Sequence, residues 1–301
     1  MDDHAQANHF RQMYPVLKAA LASHSQRLTC LRLLCPLEIS QDVFSCQFPY
    51  LKELELRIDG IKSLLGQTTL IRDVVVPFLL RLRPNLSTLI LDIASDESFP
   101  QSTLFHHVMA NLEHYPKLIM FSLSVSESEL RNDSGLNDFF SLHAQNLSSF
   151  SFHISSSPDF RWGGGHSEQS PLSIFNHSLP TLTSLSLEIP ARCLPRLHFP
   201  CSTPSPQPPT SFGYQTYVAS HLRKLVELSL HGYFLTPEDF SSIFSTPSAA
   251  PFLRKSSLCL LHFESSIAMM LEKASPQLQK LSLTFLSFIY FPTTRVSYFF
   301  H

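Results

Sequence analysis

Along this chain one hydrophobic phrase keeps returning, a triplet with apolar residues at relative positions 0, 3 and 5. It begins at Leu28, Leu51, Leu86, Leu118, Leu147, Leu182, Leu225, Leu253 and Leu278. Only the Leu253/Ser256/Leu258 copy lacks an apolar residue, at its middle position. The starts are 23 to 43 residues apart, about 31 on average, longer than the roughly 20 to 29 residues of short leucine-rich repeats. Side chains alternate along a strand, so positions 3 and 5 are expected to point inward and their neighbours outward.

The extra length has a use, because most gaps carry a second, helical period. Thr68–Leu82 places Leu70, Ile71, Val74, Val75, Phe78 and Leu82 at three-and-four spacing, and Thr103–Tyr115 does the same with Leu104, Val108, Met109, Leu112 and Tyr115. Pro84, Pro116, Pro180 and Pro276 stand just ahead of strands, where a proline stops a helix and extends the residue before it. The expected fold is α/β: a leucine-rich-repeat solenoid, a horseshoe with a curved parallel sheet on the concave side and helices on the convex side. Residues 1–27 are expected to form an amino-terminal capping helix, with Phe10, Met13, Tyr14, Leu17 and Leu21 on one apolar stripe. Residues 28–285 are the repeats, and 286–301 an apolar tail. Two loops interrupt the stack, at 155–171 and at the proline-rich 200–212. The tail carries Phe288, Tyr290, Phe291, Tyr298, Phe299 and Phe300, and no helix follows the last triplet. The carboxyl end is therefore expected to be left bare, as an association surface or as the cut edge of a longer solenoid, the alternative being that these aromatics fold back and seal the last repeat.

Composition narrows what such a stack does. The 301 residues are 44% hydrophobic and 15% charged, against about 25% charged in an ordinary domain, so neutral polar groups must cover the surface. Net charge is -2 without a run of either sign, which gives a polyanion no purchase. No basic, apolar signal opens the sequence and the longest apolar stretch, 281–291, is broken by Ser282, Thr284 and Ser287. A cytoplasmic or nuclear protein that does not enter a membrane is expected, and its six cysteines are expected to be free thiols.

The phrase of helix, proline or small polar residue, then Leu-x-x-Leu-x-Leu, resembles the divergent leucine-rich repeats of fungal F-box proteins over about Leu28–Phe285. That resemblance implies a substrate-receptor domain of a cullin ubiquitin ligase, with a separate F-box to engage the adaptor. A near match to the F-box opening exists in Pro36, Glu38, Ile39, Val43 and Phe44. Ser40 stands where an apolar residue belongs, and the Leu51 triplet leaves no room for the remaining helices. The stretch reads better as a helix of the first repeat, and this chain alone is expected not to bind the adaptor; a free-standing scaffold or regulator is the alternative.

Catalytic patterns are missing their parts. Gly165-His166-Ser167-Glu168-Gln169 lacks the second glycine of a hydrolase elbow, and Gly163–Gly165 are not followed by a phosphate-loop lysine. The fifteen histidines include no HExxH string, and His106, His107 and His114 have no nearby cysteine. Neither an enzyme nor a cofactor or metal is expected. What remains is the outward set, read as a partner-binding concave face. Its charged and ring members are Arg32, Glu53, Glu55, Arg57, Asp92, His153, Glu188, Glu227, His231, Lys255 and Lys280. Serines fill the space between, Ser122, Ser124, Ser149, Ser151, Ser184, Ser186, Ser229, Ser257 and Ser282. With no basic or aromatic stripe the expected partner is a protein, not a nucleic acid. Trp162, the only tryptophan, is a candidate anchor for that partner in the 155–171 loop, the alternative being that it folds back over the neighbouring repeat.

Overall fold

Each of the nine triplets leads into a strand that begins two residues after its first leucine. In a computed structural model that describes residues 15–16, 18–34, 43–59, 69–94, 104–126, 134–155, 173–190, 214–285 and 294–299, the chain forms two compact units, Met1–His143 and Ala144–His301. The first holds β1 (Cys30–Leu33), β2 (Glu53–Asp59), β3 (Thr88–Ala94) and β4 (Met120–Ser126). The second holds β5 (Ser149–Ser155), β6 (Ser184–Glu188), β7 (Glu227–Leu235), β8 (Lys255–Leu260) and β9 (Lys280–Phe285), followed by β10 (Thr294–Phe299).

Register follows the triplet without a slip. In the first unit Leu31, Leu54, Leu89 and Phe121 are direct neighbours on parallel strands. In the second, Phe150, Leu185, Leu228, Ser256 and Leu281 are. A one-residue slip would turn every apolar side chain to the other face, so a period-2 pattern with one buried face locks the register. The inward pairs are buried in every strand, as are the first leucines of seven triplets; Leu28 and Leu278, of the outermost triplets, are part-exposed. One carbonyl per repeat makes the same backbone contact. The oxygen of Thr29 accepts from the N–H groups of Lys52 and Glu53, that of Lys52 from Ser87 and Thr88, and that of Ser87 from Ile119 and Met120. Beyond Ala144, Ser148, Thr183, Val226 and Arg254 do likewise for their successors.

Helices connect the parallel strands, making each unit α/β: α1 (Val76–Leu82), α2 (Leu104–Met109) and α3 (Ser134–His143) in the first, and α4 (Tyr214–His221), α5 (Pro237–Ile243) and α6 (Ser265–Ala274) in the second. A wide turn, Ile71–Val75, leads into α1, where Val76 N–H reaches back to Ile71 O. It lies just ahead of Pro77, whose nitrogen has no hydrogen to give to a regular turn. Aromatic rings fill the layer between helices and strands. Phe78 of α1 meets Phe44 at 4.9 Å, and Phe139 of α3 meets Phe121 of β4 at 4.4 Å. Gly135 makes the α2–α3 approach possible, since a Cβ there would stand 2.7 Å from Ala110 N.

Three expectations need correction. The helix read over Thr103–Tyr115 stops at Met109; Leu112 and Tyr115 are still buried, but from a turn in which Asn111 Nδ2 donates to His107 O at 2.7 Å. The carboxyl end is not bare, because β10 pairs antiparallel with β9 along Thr294–Phe299 and takes up its free edge. A hairpin return needs no helix, so the periodicity gave no sign of it. The third is Ser282, expected to face outward and be exposed: it is 7% exposed, in register between Ser257 and Ser297, with no hydrogen-bond partner for its hydroxyl. At the amino end residues 18–24 are helical and Leu21 is buried. Phe10, Met13, Tyr14, Leu17 and the loops 156–172 and 191–213, Trp162 among them, lie outside the described residues. No helix among those described is long and apolar enough to cross a membrane.

Candidate partner-binding face

Alternation leaves each strand with one set of side chains that the core does not use. In the first unit these form rows across neighbouring strands: Cys30, Glu53, Thr88 and Met120; then Arg32, Glu55, Ile90 and Ser122; then Arg57, Asp92 and Ser124. Opposite charges meet directly across the strands. Arg32 Nε lies 3.2 Å from Glu55 Oε2, and Arg57 Nε 3.6 Å from Asp92 Oδ2. These pairs are solvent-exposed to differing degrees, so each contributes no more than about 1 kcal/mol and stays available to a competing partner. Met120, 37% exposed, is an apolar member that the pattern of charges did not flag.

The second unit is built of hydroxyls. Ser151, Ser186, Ser229, Ser257 and Ser282 stand in one register row across β5 to β9. On one flank run Ser149, Ser184, Glu227, Lys255 and Lys280, with Lys255 Nζ donating to Glu227. On the other, His153 Nε2 lies 3.7 Å from Glu188 Oε1, and Glu188 is the register neighbour of His231. His231 Nδ1 lies 3.4 Å from Cys259 Sγ. Thus Glu53, Glu55, Arg57 and Asp92 share one face of the first unit, and His153, Glu188, Glu227 and His231 share one face of the second. Among the described residues no three His, Cys, Asp or Glu side chains gather as a metal ion would require.

Polar features that pattern reading missed are buried. Asp239, 5% exposed, accepts from Tyr233 Oη at 2.7 Å, Gln215 Nε2 at 2.8 Å and Thr236 N at 3.0 Å. In return the Thr236 hydroxyl oxygen accepts from the Asp239 backbone N–H, completing a capping box that starts α5. The string Thr236-Pro237-Glu238-Asp239 carried that signal. Burial first, then the Asp239 hydrogen bond and charge, push the Tyr233 phenol above its usual range. Gly232 lies at a β-bulge in β7, with φ of +79° and its Cα against Ile189, whose backbone a Cβ would approach within 2.8 Å.

Two histidines form a repeated device. His143 and His221 each stand four residues ahead of a triplet, at the end of α3 and α4, buried. Their Nδ1 atoms bond to the carbonyls of Phe139 and Tyr217 at 2.7 and 2.8 Å. Their Nε2 atoms accept from the backbone N–H of Tyr115 at 2.8 Å and of Leu179 at 2.9 Å. Tyr115 and Leu179 are themselves equivalent, each three residues ahead of the preceding triplet. An aromatic residue four positions before each histidine was the legible trace.

Compared with known proteins, the sequence matches no family model and no curated protein.

Proposed function

We propose that this chain is an irregular leucine-rich-repeat solenoid whose curved parallel sheet presents a concave face to a protein partner, in the manner of the substrate receptors that its repeats resemble. One observation carries the reading: in both units a register-aligned set of polar side chains lies on the sheet face that the core leaves unused. Those side chains interact chiefly across strands with one another, through pairs such as Arg57–Asp92 and Lys255–Glu227. The partner's chemistry follows. It offers a polar surface of both signs, acidic groups to Arg32 and Arg57 and basic groups to Glu53 and Glu188, with hydrogen-bonding groups for the serines. A face of mixed sign does not suit a nucleic acid. Neither a catalytic step nor a bound cofactor belongs to this reading, and the cytoplasm or nucleus is its setting.

Val43 and Phe44 favour a receptor-like or scaffold role without ligase coupling by this stretch. Both are buried, Phe44 against Phe78, so two of the apolar residues of the near match to an adaptor-binding module serve the repeat core. The test is a titration of the purified full chain with the cullin-ligase adaptor. No saturable complex is expected; a stoichiometric one would restore the coupled ligase receptor.

A further inference from the structure

The hydrogen bonds of His143 and His221 allow only one protonation state. A backbone carbonyl can only accept, so Nδ1 carries a proton; a backbone N–H can only donate, so Nε2 carries none. Each ring is therefore neutral, and joins the end of its own helix to the backbone of the preceding repeat. A second proton would place an Nε2–H donor against the N–H of Tyr115 or Leu179, leaving two buried donors face to face with no acceptor between them.

We propose that His143 and His221 are acid-sensitive latches: on acidification they release the Tyr115 and Leu179 amides and loosen the turns that lead into β4 and β6.

Position and surroundings support this. The same residue type, tautomer and pair of partners occur twice, at one repeat position, in two separate units. The groups facing each ring oppose a second charge or are neutral. His143 is stacked on Phe139 at 4.1 Å, with His114 at 5.4 Å and the buried Tyr115 ring at 5.8 Å. Tyr115 Oη has no hydrogen-bond partner, and Arg83 and Glu113 act on Tyr115 from the surface as a pair of opposite sign. His221 has Tyr217 at 4.6 Å, Ser220 Oγ at 3.0 Å from Nδ1, and the positive charge of Lys224 nearby. No carboxylate is bonded to either ring among the described residues. Burial lowers the His143 pKa to about 4, the Phe139 carbonyl opposing and His114 adding to the fall; burial likewise lowers that of His221. His24 and His114 occupy the same repeat position but are exposed, so they are not latches.

The sign follows from which state binds the proton first. The unfolded chain protonates these rings below about pH 6.5, whereas the folded one protonates His143 only near pH 4 and His221 only below its ordinary range, so their stabilisation is whole above pH 6.5 and declines as pH falls below it. At pH 5 His143 alone raises the unfolding constant on the order of thirtyfold relative to neutral pH.

The experiment compares the full chain with His143→Gln and His221→Gln, which offer a non-titrating acceptor near the Nε2 position. Urea unfolding between pH 7.5 and 5 is expected to show a steep loss in the wild type and a slope reduced by on the order of thirtyfold in unfolding constant for His143→Gln. Should the variants not fold, wild-type protein with labelled histidine decides. Two rings in the Nδ1–H form that remain neutral at pH 5.5, with protection of the Tyr115 and Leu179 amides lost below that pH before protection at Leu118 and Leu182, support the latch. Ordinary titration near pH 6.5, the other tautomer, or equal pH slopes in folded variants and wild type would overturn it.

Discussion

The outward face of β1–β3 and that of β5–β8 use opposite chemistries on the same frame. The first is laced with ion pairs, Arg32–Glu55 and Arg57–Asp92. The second centres on Ser151, Ser186, Ser229 and Ser257 in one row, with charge confined to its flanks. Behind both faces the inward residues are, except at Ser256, the same kind of apolar pair in the same register. Stacking permits little choice inward, because each repeat must fit its neighbour, and it leaves the outward set free to diverge. On the proposed reading, stability and recognition fall to opposite sides of the same strands.

The largest test of that division is a cut on the inner side. Phe139→Ala removes a ring that is fully buried against Phe121, and a loss of about 3–5 kcal/mol is expected by chemical denaturation. Gly232→Ala comes next: with φ of +79° and Ile189 2.8 Å from the new Cβ, a loss of about 1–3 kcal/mol is expected from strain at that bulge. In the opposite direction, Ser256 fills a leucine position with a hydroxyl that has no partner. Ser256→Ala is expected to raise stability by about 1 kcal/mol, seen as a higher urea midpoint. Smallest are the outward cuts. Arg57→Ala is expected to cost less than about 1 kcal/mol, and Ser186→Ala to lie within about 0.5 kcal/mol of wild type. High salt is expected to erase the Arg57 effect and leave that of Ser186 unchanged. An outward substitution as costly as Phe139→Ala would break the division.

How much of this was legible depended on period. Strand positions and register were readable to the residue, since positions 3 and 5 of each triplet face in even at Ser256, where the sequence itself breaks the rule. The outward set followed, because inward fixes outward; Glu55 with Arg32 and Arg57 with Asp92 are strand neighbours as a consequence. What the period could not supply were contacts made by backbone atoms. The latches at Tyr115 and Leu179 use main-chain N–H groups, which carry no sequence signature, so the sequence did not single out His143 and His221 as their partners. The β10 hairpin was hidden for a related reason, since an antiparallel return does not repeat the triplet.

The central claim is that a protein partner meets the unused side of the strands. Site-specific photo-crosslinking tests it: a photoreactive side chain is placed at Ser124 or Ser186 on that side, and at the exposed helical positions Leu142 and Met269 on the other. The account predicts that both strand sites capture one and the same protein, that neither helical site captures it, and that Glu53→Lys with Glu55→Lys abolishes capture without shifting the unfolding midpoint. Capture of that protein from Leu142 or Met269, with the strand sites silent, would contradict it.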